Sequence, residues 1–141
     1  MVTLHEFFCR NKISVKKTRY KTIIVSDIHL GISNSKAKEV VKFLKHHRCE
    51  KLILNGDIID GWQLKRSGSW KKDQTKFFKL IMKMMSKHSA KIIYLRGNHD
   101  DFLDEIMPFR FGNFSIVRSH IHISNNKRYY VVHGDIFDSV T

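Results

Sequence analysis

Four apolar runs in this chain each stop abruptly in a cluster of Asp, Asn, His and Gly. Ile23-Ile24-Val25 runs into Ser26-Asp27-Ile28-His29-Leu30-Gly31, and Leu52-Ile53-Leu54 runs into Asn55-Gly56-Asp57-Ile58-Ile59-Asp60. Tyr94-Leu95 runs into Arg96-Gly97-Asn98-His99-Asp100, and Tyr130-Val131-Val132 runs into His133-Gly134-Asp135. Short runs rich in β-branched residues read as buried strands. Between the first three lie stretches of helical periodicity. Residues 36 to 47 put Ala37, Val40, Val41 and Leu44 on one face, with Lys38, Lys42 and Lys45 turned outward. A second amphipathic helix is predicted from Asp73, its N-cap, to His88, with Phe77, Leu80, Ile81, Met84 and Met85 as its apolar stripe. Residues 61 to 72, with Trp62, Gly68 and Trp70, read as a loop, and residues 101 to 107 as a short helix before Pro108. Ile116-Val117, His120 to Ser124 and Arg128 to Val132 read as further strands, the last two joined by a hairpin turn at Asn125-Asn126-Lys127.

Alternating strands and helices predict an α/β layered domain with a substantially parallel sheet in its first part. Right-handed crossovers then bring the carboxyl ends of its first three strands to one edge, where open α/β sheets build their sites. The glycines let backbone pass close to a crowded centre. Asp27 and His29 are two residues apart, so an extended backbone sends both side chains off one face. Asp, Asn and Gly are common in turns after strands, and a core histidine accounts for one His. Neither explains four such loops in order with His inside three of them. Carboxylate, amide and imidazole donors form a hard-to-borderline set suited to Mn, Fe, Zn or Co and unsuited to a thiolate-loving metal.

The same residues carry a family resemblance. The series D-x-H, G-D-x-x-D, G-N-H-D and H-G-D resembles the signature of the calcineurin-like metallophosphoesterases, over about residues 21 to 141. Gly56-Asp57-Ile58-Ile59-Asp60-Gly61-Trp62, then Leu64-Lys65-Arg66 and Trp70, are more particular. With Arg96 to Leu103 and His133-Gly134-Asp135-Ile136-Phe137-Asp138, they are similar to the UDP-2,3-diacylglucosamine hydrolase group. The resemblance implies an αββα sandwich and hydrolysis at two divalent metal ions, Mn²⁺ foremost. Asp27 and His29 would hold the first ion, Asp57 would bridge, and Asn98 and His133 would hold the second. His99 would contact the scissile phosphate and assist the leaving oxygen, with Asp100 orienting it; Asp60 and Asp135 would stand behind the ligands. The implied substrate is a nucleotide-lipid diphosphate cut to a lipid monophosphate and UMP, in lipid A biosynthesis. Arg66, Lys65 and Arg96 would meet substrate phosphates, the alternative being solvated surface charge. Trp62 and Trp70 read first as packing under their loop, and His120 and His122 as surface residues outside any family motif.

This family closes its metal set with a G-H-x-H loop, and that string does not occur in the sequence. The resemblance therefore covers the N-terminal part of the domain. The expectation is a truncated form or one piece of a split protein, with a separate chain as candidate supplier of the C-terminal half, and with little activity alone. Residues 1 to 20 read as a basic extension, either an arm for membrane or nucleic acid or an unstructured leader. The remaining bulk properties constrain less. A chain of 141 residues, 42% apolar, is long enough for one modest domain. No apolar run approaches the ~20 residues a spanning helix needs, and Leu4, Phe7 and Phe8 do not make a signal core. The expected location is cytoplasmic, with peripheral contact at the inner membrane face as an option. Cys9 and Cys49 follow no metal or redox spacing and read as ordinary thiols. The formal charge of +13 attracts phosphates, nucleic acid and anionic lipid alike. Two alternatives to the pyrophosphatase therefore stand: another phosphodiesterase, nucleases included, and a non-catalytic basic fragment that binds acidic lipid or nucleic acid.

Overall fold

A computed structural model of the protein describes residues 18–137. Most of the basic extension, Cys9 within it, and residues 138–141 lie outside the described residues. Strand β1, Thr18–Val25, starts three residues before the regular pattern at Lys21, because Thr18 to Tyr20 pair with His47 to Cys49 on the next strand. Helix α1, Ala37–His46, leads directly into β2, His47–Asn55. Helices α2, Gly61–Ser67, and α3, Lys72–His88, precede β3, Lys91–Leu95. A 3₁₀ segment, Asn98–Glu105, follows, then β4, Phe109–Phe111, and β5, Phe114–Val117. The hairpin of β6, His120–Ser124, and β7, Lys127–Val131, completes the strands.

The main sheet has the order β1-β2-β3-β5-β4, with β1, β2, β3 and β5 parallel and β4 antiparallel at the edge. Its alternating residues divide two environments. Ile23, Leu52, Leu54, Ile92 and Tyr94 pack with Val41, Leu44, Phe77, Ile81 and Met84 of the helices. Ile53, Ile93 and Leu95 face the other way, where Val131 of β7 packs on them. Ile24 of β1 also faces that side and is 49% exposed, so among the described residues the hairpin covers only part of this face. No helix among the described residues is long and apolar enough to cross a membrane. Cys49 is buried, and burial pushes its thiol up to about 11, which keeps it protonated and unreactive.

Three local expectations need correction. Residues 61 to 67 are helical rather than a loop, because the Asp60 side chain accepts from Gln63 N and caps the turn. Asp73 is not an N-cap: α3 starts at Lys72, and Asp73 sits in its first turn, paired with Lys76 at 2.8 Å. Strand β4 has no counterpart in the sequence reading. The hairpin turn is as expected, with Asn125 and Asn126 at φ 49° and 61°, as a two-residue connection with right-handed strand twist requires.

The loop after β1 is anchored by Gln74 of α3. This side chain is buried; its oxygen accepts from Gly31 N, and its nitrogen donates to Ile32 O and Ser35 Oγ. Gln74→Leu keeps the volume and strips all three bonds while leaving Gly31 N unsatisfied. The expected loss is about 1–3 kcal/mol of unfolding free energy, read from the urea midpoint at unchanged slope; an unchanged midpoint would show that the loop is held by other contacts.

Candidate metal centre

The three parallel strands β1 to β3 deliver their loops to one edge, and backbone bonds lace the first two together. Asp27 N donates to Gly56 O, His29 N to Asp57 O, and Leu30 N to Ile58 O, while Asp60 N returns to Leu30 O at 2.7 Å. Extended backbone does not place Asp27 and His29, as the two-residue spacing suggested. Asp27, His29 and Asp57 have φ of 54°, 51° and 52°, the left-handed region that costs energy for any side chain. Ile28 between the first two is fully buried, so the chain turns about it and presents both neighbours to the centre.

Asp57 is the hub, 4% exposed. Its Oδ1 accepts the His99 amide at 3.0 Å. Its Oδ2 stands 3.4 Å from His133 Nε2 and 3.8 Å from His29 Nε2. Donor atoms of His29, Asp57 and His99 lie within 4.8 Å of one another, and so do those of Asp27, Asp57 and His133. The structure thus gathers Asp27, His29, Asp57 and His133, four of the five expected ligands. The fifth, Asn98, opens the 3₁₀ segment one residue after Gly97, whose backbone abuts Asp57. The grouping differs from the expected one: His133 sits with Asp27, and His99, expected at the phosphate, sits with His29.

The arrangement fits a divalent cation on three observations. His133 Nδ1 bonds to Asn55 O at 3.0 Å, which fixes the ring and leaves Nε2 inward as the donor atom. Burial alone would lower the His133 pKa, but the bond to Asn55 and the charges of Asp57, Asp27 and Asp135 outweigh it and hold the imidazole above its ordinary value. Those carboxylates make the site attractive to positive charge. Finally, glycines leave room only for the donors: a Cβ on Gly56 would lie 2.3 Å from the His133 ring, and one on Gly97 2.3 Å from Asp57 Oδ1.

The residues around the ligands take roles that the sequence did not assign. Asp100, expected to orient His99, makes no hydrogen bond to its ring. Fully buried, its carboxylate accepts from the amides of Ile58, Ile59 and Gly97 and from Tyr94 Oη at 2.7 Å. Burial keeps the Asp100 pKa above the ordinary carboxylate range despite these donors. Burial, then the charge of Asp100, holds the Tyr94 phenol far above its usual value, so it remains a donor. The residue beside His99 is Asp60, whose Oδ2 is 3.2 Å from His99 Nδ1 and 3.5 Å from His29 Nδ1, close enough for ion pairing but not aligned for a hydrogen bond from His99. Burial raises Asp60, but the Gln63 amide, His99 and His29 hold it below the ordinary carboxylate value. Trp62 is half-exposed rather than packed away; its ring lies 4.4 Å from that of His99, and its Nε1 donates to Asp101. Trp70 is equally exposed and stacks on Phe78. Arg96 is clamped between Asp135, at 2.6 Å, and Asp104, at 3.1 Å, so its guanidinium is committed to carboxylates. Lys65 and Arg66 are exposed on the last turn of α2.

Asn55 was missed as a positioning residue. Its carbonyl fixes His133, and its side-chain nitrogen donates to Val132 O, so one residue holds the segment that carries the last donor. Its place between a strand and Gly56 was the available signal. For the centre as a whole, Gly56→Ala should weaken Mn²⁺ binding about tenfold or more, since ligand-supporting changes cost 10–100-fold. Calorimetric titration measures this; unaltered affinity would mean that His133 is not a ligand.

No curated protein matches the chain significantly. The calcineurin-like phosphoesterase family matches residues 20–141, which include every loop described above. A parallel-rich α/β sheet, four converging loops and this match together place the chain in the calcineurin-like phosphoesterase family.

Proposed function

We propose that the chain is a dinuclear-metal hydrolase of phosphodiesters or diphosphates, with a UDP-linked acylated sugar as its substrate class. The observation that carries the dinuclear reading is the sharing of Asp57 between two donor groups, His29 and His99 on one side and Asp27 and His133 on the other. Two bound divalent cations supply charge neutralisation and an acidified water for in-line attack. His29, His99, Asp27 and His133 would hold them around Asp57, with Asn98 completing the set. The UDP-lipid reading rests on the run from Gly56 to Trp62 with Leu64-Lys65-Arg66 and Trp70, which resembles that hydrolase group.

The protein's own groups have definable work in such a reaction. The Asp60 carboxylate lies 3.2 Å from His99 Nδ1 and 3.5 Å from His29 Nδ1, so one side chain positions both rings at the centre. Trp62 covers one side of the His99 imidazole, its ring 4.4 Å away. Lys65 and Arg66, at the end of the helix that starts beside His99, offer charge for the distal phosphate of a nucleotide. Arg96 serves differently: through Asp104 and Asp135 it ties the His99 and His133 loops together.

The test is Mn²⁺-dependent release of UMP from UDP-2,3-diacylglucosamine, followed by ³¹P NMR. His99→Ala should lower kcat by about 10²-fold or more, and Asp60→Asn by a smaller factor. Cleavage of bis(p-nitrophenyl) phosphate alone would move the substrate to another phosphodiester. Metal-loaded protein that cleaves no phosphodiester at all would remove the enzyme reading.

A further inference from the structure

A second concentration of chemistry lies at the opposite end of the strands. Lys51 and Lys91 are direct partners across β2 and β3, and they share a face with Ile53 and Ile93, away from the helices. Like charges placed directly opposite in a sheet destabilise it. The hairpin lies over this pair: His122 Nδ1 is 3.4 Å from Lys51 Nζ. His120, on the same side of β6, lines a cleft of about 380 Å³ together with Lys91, Arg110, Ser115 and Ser119. Its Nε2 is sealed from solvent and has no hydrogen-bond partner. Among the described residues no carboxylate pairs with Lys51, Lys91 or Arg110.

The cations feel one another. Burial first, then Lys51, holds both His120 and His122 below the ordinary imidazole value, with Lys91 adding to the effect on His120. Burial, then Lys91, holds Lys51 below the ordinary lysine value. The arrangement lacks a counter-charge, and a compact dianion is the species that converts every one of these repulsions into attraction. Lysine ammonium and imidazolium groups both donate charge-assisted hydrogen bonds to phosphate oxygens. We propose that the cluster of Lys51, Lys91, His120 and His122 under the hairpin, beside the cleft that Lys91 and His120 line, binds an oxyanion of the phosphate class. Four residues of strand separate Lys51 from Asn55, roughly 13 Å, so this site is distinct from the metal centre and stands whether or not the hydrolase reading does.

The experiment uses the full chain carrying Asp57→Asn, treated with chelator, so that phosphate has no metal centre to occupy. Inorganic phosphate is titrated at constant ionic strength against chloride while the histidine C2–H signals are followed by NMR. The signals of His120 and His122 should move and their titration midpoints rise, while those of His46 and His88 stay fixed. Lys51→Gln should weaken phosphate affinity about tenfold or more, as for loss of a charged hydrogen bond, whereas Lys83→Gln on α3 leaves it unchanged. A UMP titration separates the sources: binding as tight as phosphate or tighter points to a phosphomonoester ligand, and weaker binding to the free ion. His120 and His122 signals indifferent to both anions overturn the proposal. So does equal weakening by the Lys51 and Lys83 substitutions, because that would mean diffuse charge rather than a site. Should Lys51→Gln not fold, the NMR titration of the parent chain decides alone.

Discussion

The buried carboxylate of Asp100 receives three backbone amides and one phenol from two different loops. Charge-assisted bonds of this kind are stronger than neutral ones, and stronger still away from water. Ile58 and Ile59 belong to the loop of Asp57, and Gly97 to the loop of His99. A carboxylate that hydrogen-bonds no candidate ligand's side chain therefore sets the separation between two of them. The same junction leaves no room at Gly97 for a side chain, since Asp57 Oδ1 already fills the place a Cβ would take. The left-handed conformations of Asp27, His29 and Asp57 depend on this frame. Unfavourable backbone angles persist only where surrounding structure over-determines them, and the lacing of the first two loops onto an Asp100-fixed third provides that.

The distribution of charge is as telling as its sum. The chain has 26 basic and 13 acidic residues, yet Asp27, Asp57, Asp60, Asp100, Asp101, Asp104 and Asp135 all gather at the carboxyl edge of the sheet. A local well of negative potential sits inside a positive body. The first holds cations; the second draws anionic substrates toward them over distances of a Debye length or so. At the amino-terminal halves of β2 and β3 the one carboxylate, Glu50, pairs with Arg19 and Lys21, and Lys51 and Lys91 are the other side of that segregation.

Much of this was legible beforehand because it obeys short-range rules. Strand ends, helix faces and the Asn-Asn turn follow from periodicity and turn chemistry, and converging loops follow from the parallel order of β1 to β3. That topology brings Asp27, His29 and Asp57 to one edge, whereas His133, which follows a strand of the separate hairpin, joined the centre through the family resemblance. The errors lie where tertiary contact overrides local pattern. Asp60 caps a helix that Trp62 and Gly61 do not advertise. Asp100 was assigned by adjacency to His99, whereas its partners are amides more than forty residues away in sequence, at Ile58 and Ile59. Gln74 and Asn55 anchor loops through bonds that no spacing encodes. His120 and His122 looked like surface residues because nothing in the chain shows that a hairpin folds over Lys51.

Ile24 stands half bare on the edge strand β1, and the outer side of the hairpin turns Ile121, Ile123 and Tyr130 to water. Parallel sheets are ordinarily covered on both sides, and contiguous apolar surface is what drives chains together. In handling, the colloidal behaviour of this protein is therefore set by a greasy flank and a large positive charge together: raising the salt screens the repulsion between molecules and leaves that flank to find its own kind.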